Sequence, residues 1–151
     1  MSAIYREILI AVDTSVEAKE VWAKALQLAN DAGAHLTLIH VIEPLLVESG
    51  FELMPIVSID MEKALVERAT GFLRELAAGA LASQRVDSLV KVGAIKQQIL
   101  SAANELQADL IVIGTHGRHG FAALLGATAN AVLHGAPCDV LCVRVGNSTR
   151  K

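Results

Sequence analysis

The residues of this chain that could do chemistry sit at the ends of two apolar runs. Asp13 closes Ile8-Leu-Ile-Ala-Val12, and Gly114-Thr-His-Gly117-Arg-His-Gly120 follows Asp109-Leu-Ile-Val-Ile113. Glycines permit positive φ and close approach of a ligand to the backbone, and a helix opening behind them offers unpaired N–H groups and a partial positive charge. Such a turn suits an anion or a phosphate, and Arg118 adds a cation. It is not a Walker A loop, because no Gly-Lys-Ser/Thr closes it, and it is not G-x-G-x-x-G. Plain turn chemistry is the competing reading. Asp13 suits ribose hydroxyls or a hydrated Mg²⁺, and a turn or capping aspartate is the competing reading there.

Other groups are less suggestive. His116 and His119 flank Gly117 and could line the same crevice, while His35, His40 and His134 are scattered and none has zinc-site spacing. Asp13 with His116 or His119 lacks a positioned nucleophile, so no catalytic residue and no dedicated enzyme is expected. Cys138 and Cys142 lie four residues apart in a strand-like segment, roughly 13 Å at ~3.3 Å per residue, beyond disulfide or shared-metal reach. Buried, reduced thiols in a reducing cytosol are expected.

The elements that must position these groups alternate. The run Ile8–Val12 reads as a strand buried on both faces. Thr14-x-x-Glu17 has capping-box spacing, and Ala18, Val21, Trp22, Ala25, Leu28, Ala29 and Ala32 recur at helical period before Gly33. His35 to Val41 is a second strand. The segment from Glu43 to Ile59, with Pro44, Gly50 and Pro55, is long for a loop and reads as a lid or an interaction surface. Asp60 is the expected N-cap of a helix carrying Met61, Leu65, Ala69, Phe72, Leu76 and Ala80. Val86–Val92 is a weaker strand, and Ile95, Ile99, Ala103 and Leu106 mark a helix. The strand Asp109–Ile113, a helix over Leu124–Leu133 and a last strand over Asp139–Val145 complete the chain. The order βαβαβαβαβ, with strands too apolar for a wet face, predicts an α/β fold: an open doubly wound five-stranded parallel sheet with helices on both faces. Ligands in such sheets sit at the strands' carboxyl ends where the winding reverses.

Composition narrows the classes. A chain of 151 residues, 53% hydrophobic and 19% charged, is sized for one core and too apolar for a disordered polymer. One domain over residues 1–147 is expected, with 148–151 a disordered tail. The net charge is 13 − 16 = −3 and the five aromatics are scattered, which disfavours nucleic acid. No run reaches the ~18 apolar residues of a membrane span, and Ile8–Val12 lacks signal-peptide flanks. A cytoplasmic protein with no membrane partner is expected.

Four segments together carry a family resemblance: Ile8-Leu-Ile-Ala-Val-Asp13, Leu38-Ile-His-Val41, Ala108-Asp-Leu-Ile-Val-Ile-Gly-Thr-His-Gly-Arg-His-Gly120 and Ala136-Pro-Cys-Asp-Val-Leu-Cys-Val143. In this order, over nearly the whole chain, they resemble a universal stress protein. The resemblance implies strand order 3-2-1-4-5 in an adenine nucleotide alpha hydrolase-like fold, usually dimeric, and a stress-response role. Nucleotide-binding members carry G-x2-G-x9-G-[ST]. Matched to it, Gly114 and Gly117 are the opening glycines and Gly126 the third. The resemblance implies phosphates held by the residues after Gly126 (Ala127, Thr128 and Ala129), ribose at Asp13 behind Ala11 and Val12, and adenine on the backbone of Val41. ATP with Mg²⁺ is the implied cofactor, with at most slow ATP hydrolysis where it binds; His116, Arg118 and His119 stand inside the motif.

Two departures matter. Eight residues, Arg118 to Leu125, separate Gly117 from Gly126 where nine are expected, and Ala127 stands where a hydroxyl should be. One residue at a helix start turns the first turn by about 100°. Two functions therefore stay open: a nucleotide-binding regulatory module, or a universal stress protein without nucleotide that acts through protein partners. The last strand, Asp139 to Val145, falls at the sheet edge with little protection beyond Arg144, so a homodimer through that strand is expected.

Overall fold

The computed structural model describes residues 4–30, 33–44, 46–49, 52–55, 58–115 and 125–146. In chain order the elements are β1 (Glu7–Ala11), α1 (Ala18–Asn30), β2 (His35–Ile42), β3 (Leu46–Ser49), β4 (Glu52–Pro55), α2 (Ile59–Ala77), β5 (Arg85–Val92), α3 (Ile95–Glu105), β6 (Leu110–Gly114), α4 (Ala127–Gly135) and β7 (Asp139–Val143). Five strands form one parallel sheet, β5-β2-β1-β6-β7, which is the expected 3-2-1-4-5 order.

The strand period of two divides the apolar residues between two cores. Ile8, Ile10 and Val12 join Leu36, Leu38, Leu110 and Val112 under α1 and α2. Leu9 and Ala11 join Ile39, Val41, Ile111 and Ile113 under α3 and α4. This is why β1 and β6 read as unbroken apolar runs: neither has a wet face. The winding reverses beside β1, so the carboxyl ends of β1 and β6 open a crevice between the two layers.

The opposite end of the sheet is tied by polar groups. The Asp109 carboxylate accepts the backbone N–H of Arg6 at 2.8 Å and of Glu7 at 3.1 Å, holding the start of β1 against β6. His35 lies between Glu7 (2.8 Å) and Asp87 (2.7 Å), joining β1, β2 and β5. The Tyr5 hydroxyl donates to Asp139 at 3.0 Å, and this bond is the leading cause of its raised pKa.

Several expectations need correction. The segment from Glu43 to Ile59, read as a long loop forming a lid or an interaction surface, contains an antiparallel pair, β3 with β4. Apolar residues on either side of Ser49-Gly50 are a hairpin signal that the prolines obscured. Ser58, not Asp60, caps α2, its hydroxyl accepting from the Met61 N–H at 3.3 Å. The Thr14 capping box does not form, because α1 starts only at Ala18 after three-residue turns from Ser15, Val16 and Glu17. Leu28, Met61 and Leu65, assigned to apolar helix faces, are exposed. The helix after the glycine turn begins at Ala127 rather than Leu124, and the last strand ends at Val143 rather than Val145. Cys138 and Cys142 are free thiols, but half-buried rather than enclosed. Ala32 and residues 148–151 lie outside the described residues.

Candidate functional site

β1 ends at buried Ala11, buried Val12 follows, and the chain turns at Asp13. The Asp13 Oδ1 atom accepts the backbone N–H of Ser15 at 3.0 Å and also its hydroxyl. This Asx turn redirects the chain into α1, so the turn role of Asp13 is real. Its second oxygen, Oδ2, has no hydrogen-bond partner among the described residues.

A cleft of about 360 Å³ opens over that turn. Of the residues singled out from the sequence, Ala11, Val12, Asp13, Val41, Gly114, Gly126, Ala127, Thr128 and Ala129 all line it. His116, Gly117, Arg118 and His119 lie outside the described residues. The ends of that stretch are nonetheless fixed, since the Gly126 N–H donates to the Thr115 carbonyl and the Thr115 N–H donates to Val143 at 2.8 Å.

The cleft has two ends of different chemistry. Ile39, Ile95, Ile99 and Ile113 make one side apolar. At the other, α4 presents its first turn. Its N-cap, Gly126, is extended at φ −61°, ψ 152°, and among the described residues no side chain caps the helix. The leading N–H groups and the positive end of the dipole are therefore left for whatever enters. Asp13 and Glu17 supply carboxylates, and His40 supplies an imidazole whose Nδ1 donates to the Val12 carbonyl at 2.9 Å. A slot with one greasy wall and a few convergent polar groups is the usual form of a small-molecule site.

Sequence reasoning missed Ser15, Glu17, His40, Ile95 and Ile99 as lining residues. His40 had a usable signal, since it directly precedes Val41. Ile95 and Ile99 had none before the α3 crossover was placed. Among the described residues, no group of three His, Cys, Asp or Glu side chains could hold a metal ion, and no helix is long and apolar enough to cross a membrane.

Comparison with known proteins now bears on the whole chain. The model of the universal stress protein family matches residues 4–144. The chain belongs to this family. Two universal stress protein A homologs of Coxiella burnetii are 39% and 40% identical to it, covering 92% and 95% of this chain and 96% and 98% of their own lengths. Among solved structures, the universal stress protein UspA from Lactobacillus plantarum superposes with a TM-score of 0.73 at 25% identity, over 93% of this chain and 98% of that one. A universal stress protein from Archaeoglobus fulgidus, solved in complex with dAMP, has a TM-score of 0.58 at 25% identity, over 95% and 99%. The universal stress protein fold thus accounts for the strand order and for the crevice at its switch point.

Proposed function

We propose that this universal stress protein is a dimeric regulatory module that takes an adenine nucleotide in the cleft between β1 and β6. The observation that carries the reading is convergence: Asp13, Val41, Gly114 and the uncapped start of α4 surround one space of about 360 Å³. The base lies on the apolar side against Val41, a ribose hydroxyl donates to Asp13 Oδ2, and the phosphates meet the N–H groups of Ala127, Thr128 and Ala129. The dAMP complex of the Archaeoglobus relative supports this class of ligand. Asp13 and Glu17 are the oxygen donors available to a Mg²⁺ accompanying ATP. In this reading the site binds and signals rather than catalyses.

A second reading, a partner-binding protein without nucleotide, is favoured by two features. Ala127 brings no hydroxyl to the first turn of α4, and Ile59 and Met61 stand exposed at the start of α2. Calorimetric titration of the nucleotide-stripped protein with ATP and Mg²⁺ separates the two. Nucleotide binding predicts micromolar affinity that weakens about tenfold in Asp13→Asn, which keeps the turn acceptor but loses the charge-assisted bond. A folded protein that gives no heat at millimolar ATP would leave the partner reading standing.

A further inference from the structure

The ladder between β1 and β2 stops half-way through a residue pair. In a parallel ladder, a residue that donates to the residue before its partner accepts, on its own carbonyl, the N–H of the residue after that partner. Val12 donates to the Ile39 carbonyl at 3.0 Å, so its partner is His40 and its carbonyl is due the N–H of Val41. That bond is absent among the described residues, and the Val12 carbonyl is taken by Nδ1 of the His40 ring at 2.9 Å.

The direction of the Val41 peptide groups follows from two neighbouring bonds. Ile39 turns its carbonyl to β1, and Ile42 turns its carbonyl to the other side, where it receives the Gly93 N–H at 3.0 Å. By alternation Val41 presents its N–H and C=O toward β1, beyond the point where β1 has left at Asp13. The His40 side chain belongs to the opposite face from Val41, so the ring reaches Val12 without filling the apolar slot.

We propose that His40 is a positioning residue that holds the Val41 N–H and C=O open for the ligand's base. Val12 is 7% exposed, and a buried carbonyl takes whichever donor is in reach. Without the imidazole, that donor is the Val41 N–H, and one more ladder bond would consume the group an adenine edge needs. The bond to a carbonyl also fixes the ring proton on Nδ1. This rests on the nucleotide reading for its purpose, but not for its structural half.

The two halves are read separately. NMR couplings across hydrogen bonds, measured without ligand, should show Ile39 N–H bonded into β1 and no coupling from Val41 N–H to the Val12 carbonyl. In His40→Phe, which keeps the ring and removes the donor, the Val41–Val12 coupling should appear, and affinity for ATP with Mg²⁺ should fall tenfold or more. His40→Asn places an amide nitrogen where Nδ1 stood and should restore both wild-type readouts. A Val41–Val12 coupling in the wild type overturns the inference, with or without a soluble His40→Phe. So does a His40→Phe protein whose coupling and affinity do not change together. A wild type that shows no such coupling and binds no ATP removes the nucleotide reading and the proposed purpose, while the ladder stop itself stands.

Discussion

Thr37 carries a hydroxyl into β2. It is 2% exposed, and its Oγ1 has no hydrogen-bond partner among the described residues. An unmet buried hydroxyl costs about 1–3 kcal/mol, so Thr37→Val, which replaces it with a methyl of the same shape, should stabilise the fold by about 1 kcal/mol. Chemical denaturation checks this; a destabilised variant would mean that the hydroxyl does have a partner. Cys138 illustrates a shift of the opposite kind. Burial pushes its thiol up, and the charges of Asp139 and Asp109 push it further. The folded state then keeps a proton that the unfolded chain has released, so this contribution to stability is complete at lower pH and fades as pH rises through the folded value. In a Cys142→Ala background, iodoacetamide should modify native Cys138 more slowly than the urea-unfolded chain, with its rate profile displaced to higher pH. Coincident profiles would reject the shift.

At the scale of elements, the turn from β5 into α3 is a tightly constrained joint beside the cleft. Gly93 has φ +148°, and a Cβ there would stand 2.8 Å from the Gln98 side-chain nitrogen. Gly93→Ala should therefore cost about 1–3 kcal/mol, mostly from the backbone, and thermal unfolding reads it directly. An unaffected melting temperature would mean that the turn relaxes freely. Elements of this kind also show what the sequence could and could not tell. β1 and β6 were legible because burial on both faces leaves Ile8–Val12 and Leu110–Ile113 without a polar residue, and Asp13 and Gly114 stood out as the first polar or flexible residues after those runs. The β3–β4 hairpin was not, since its four-residue strands are too short for a period to declare itself beside two prolines. Ser58 lost to Asp60 as a cap because both are good caps and only helix geometry chooses between them. Ile95 and Ile99 reach the cleft through a crossover, and the role of His40 depends on which way a peptide faces, information that no local pattern holds.

The whole molecule has two sheet edges of different character. β5 carries Arg85, Asp87 and Lys91, charges that discourage strand-to-strand association, whereas β7 continues from Asp139 into Val140-Leu-Cys-Val143. Among the described residues β7 pairs with β6 alone, so its outer peptide groups lack a ladder. Self-association should therefore use β7, two copies meeting antiparallel about a two-fold axis. The register says which residue to change. Val143 turns its carbonyl inward to the Thr115 N–H, so a proline there would break the molecule's own sheet. Val140 and Cys142, one residue out of phase, turn theirs outward. Cys142→Pro removes an outward N–H and leaves the β6 ladder intact, and should convert a sedimenting dimer to monomer, while Cys142→Ala stays dimeric. Should the proline variant keep its dimer, β7 is not the contact, and the exposed Ile59 and Met61 of α2 become the surface on which to look next.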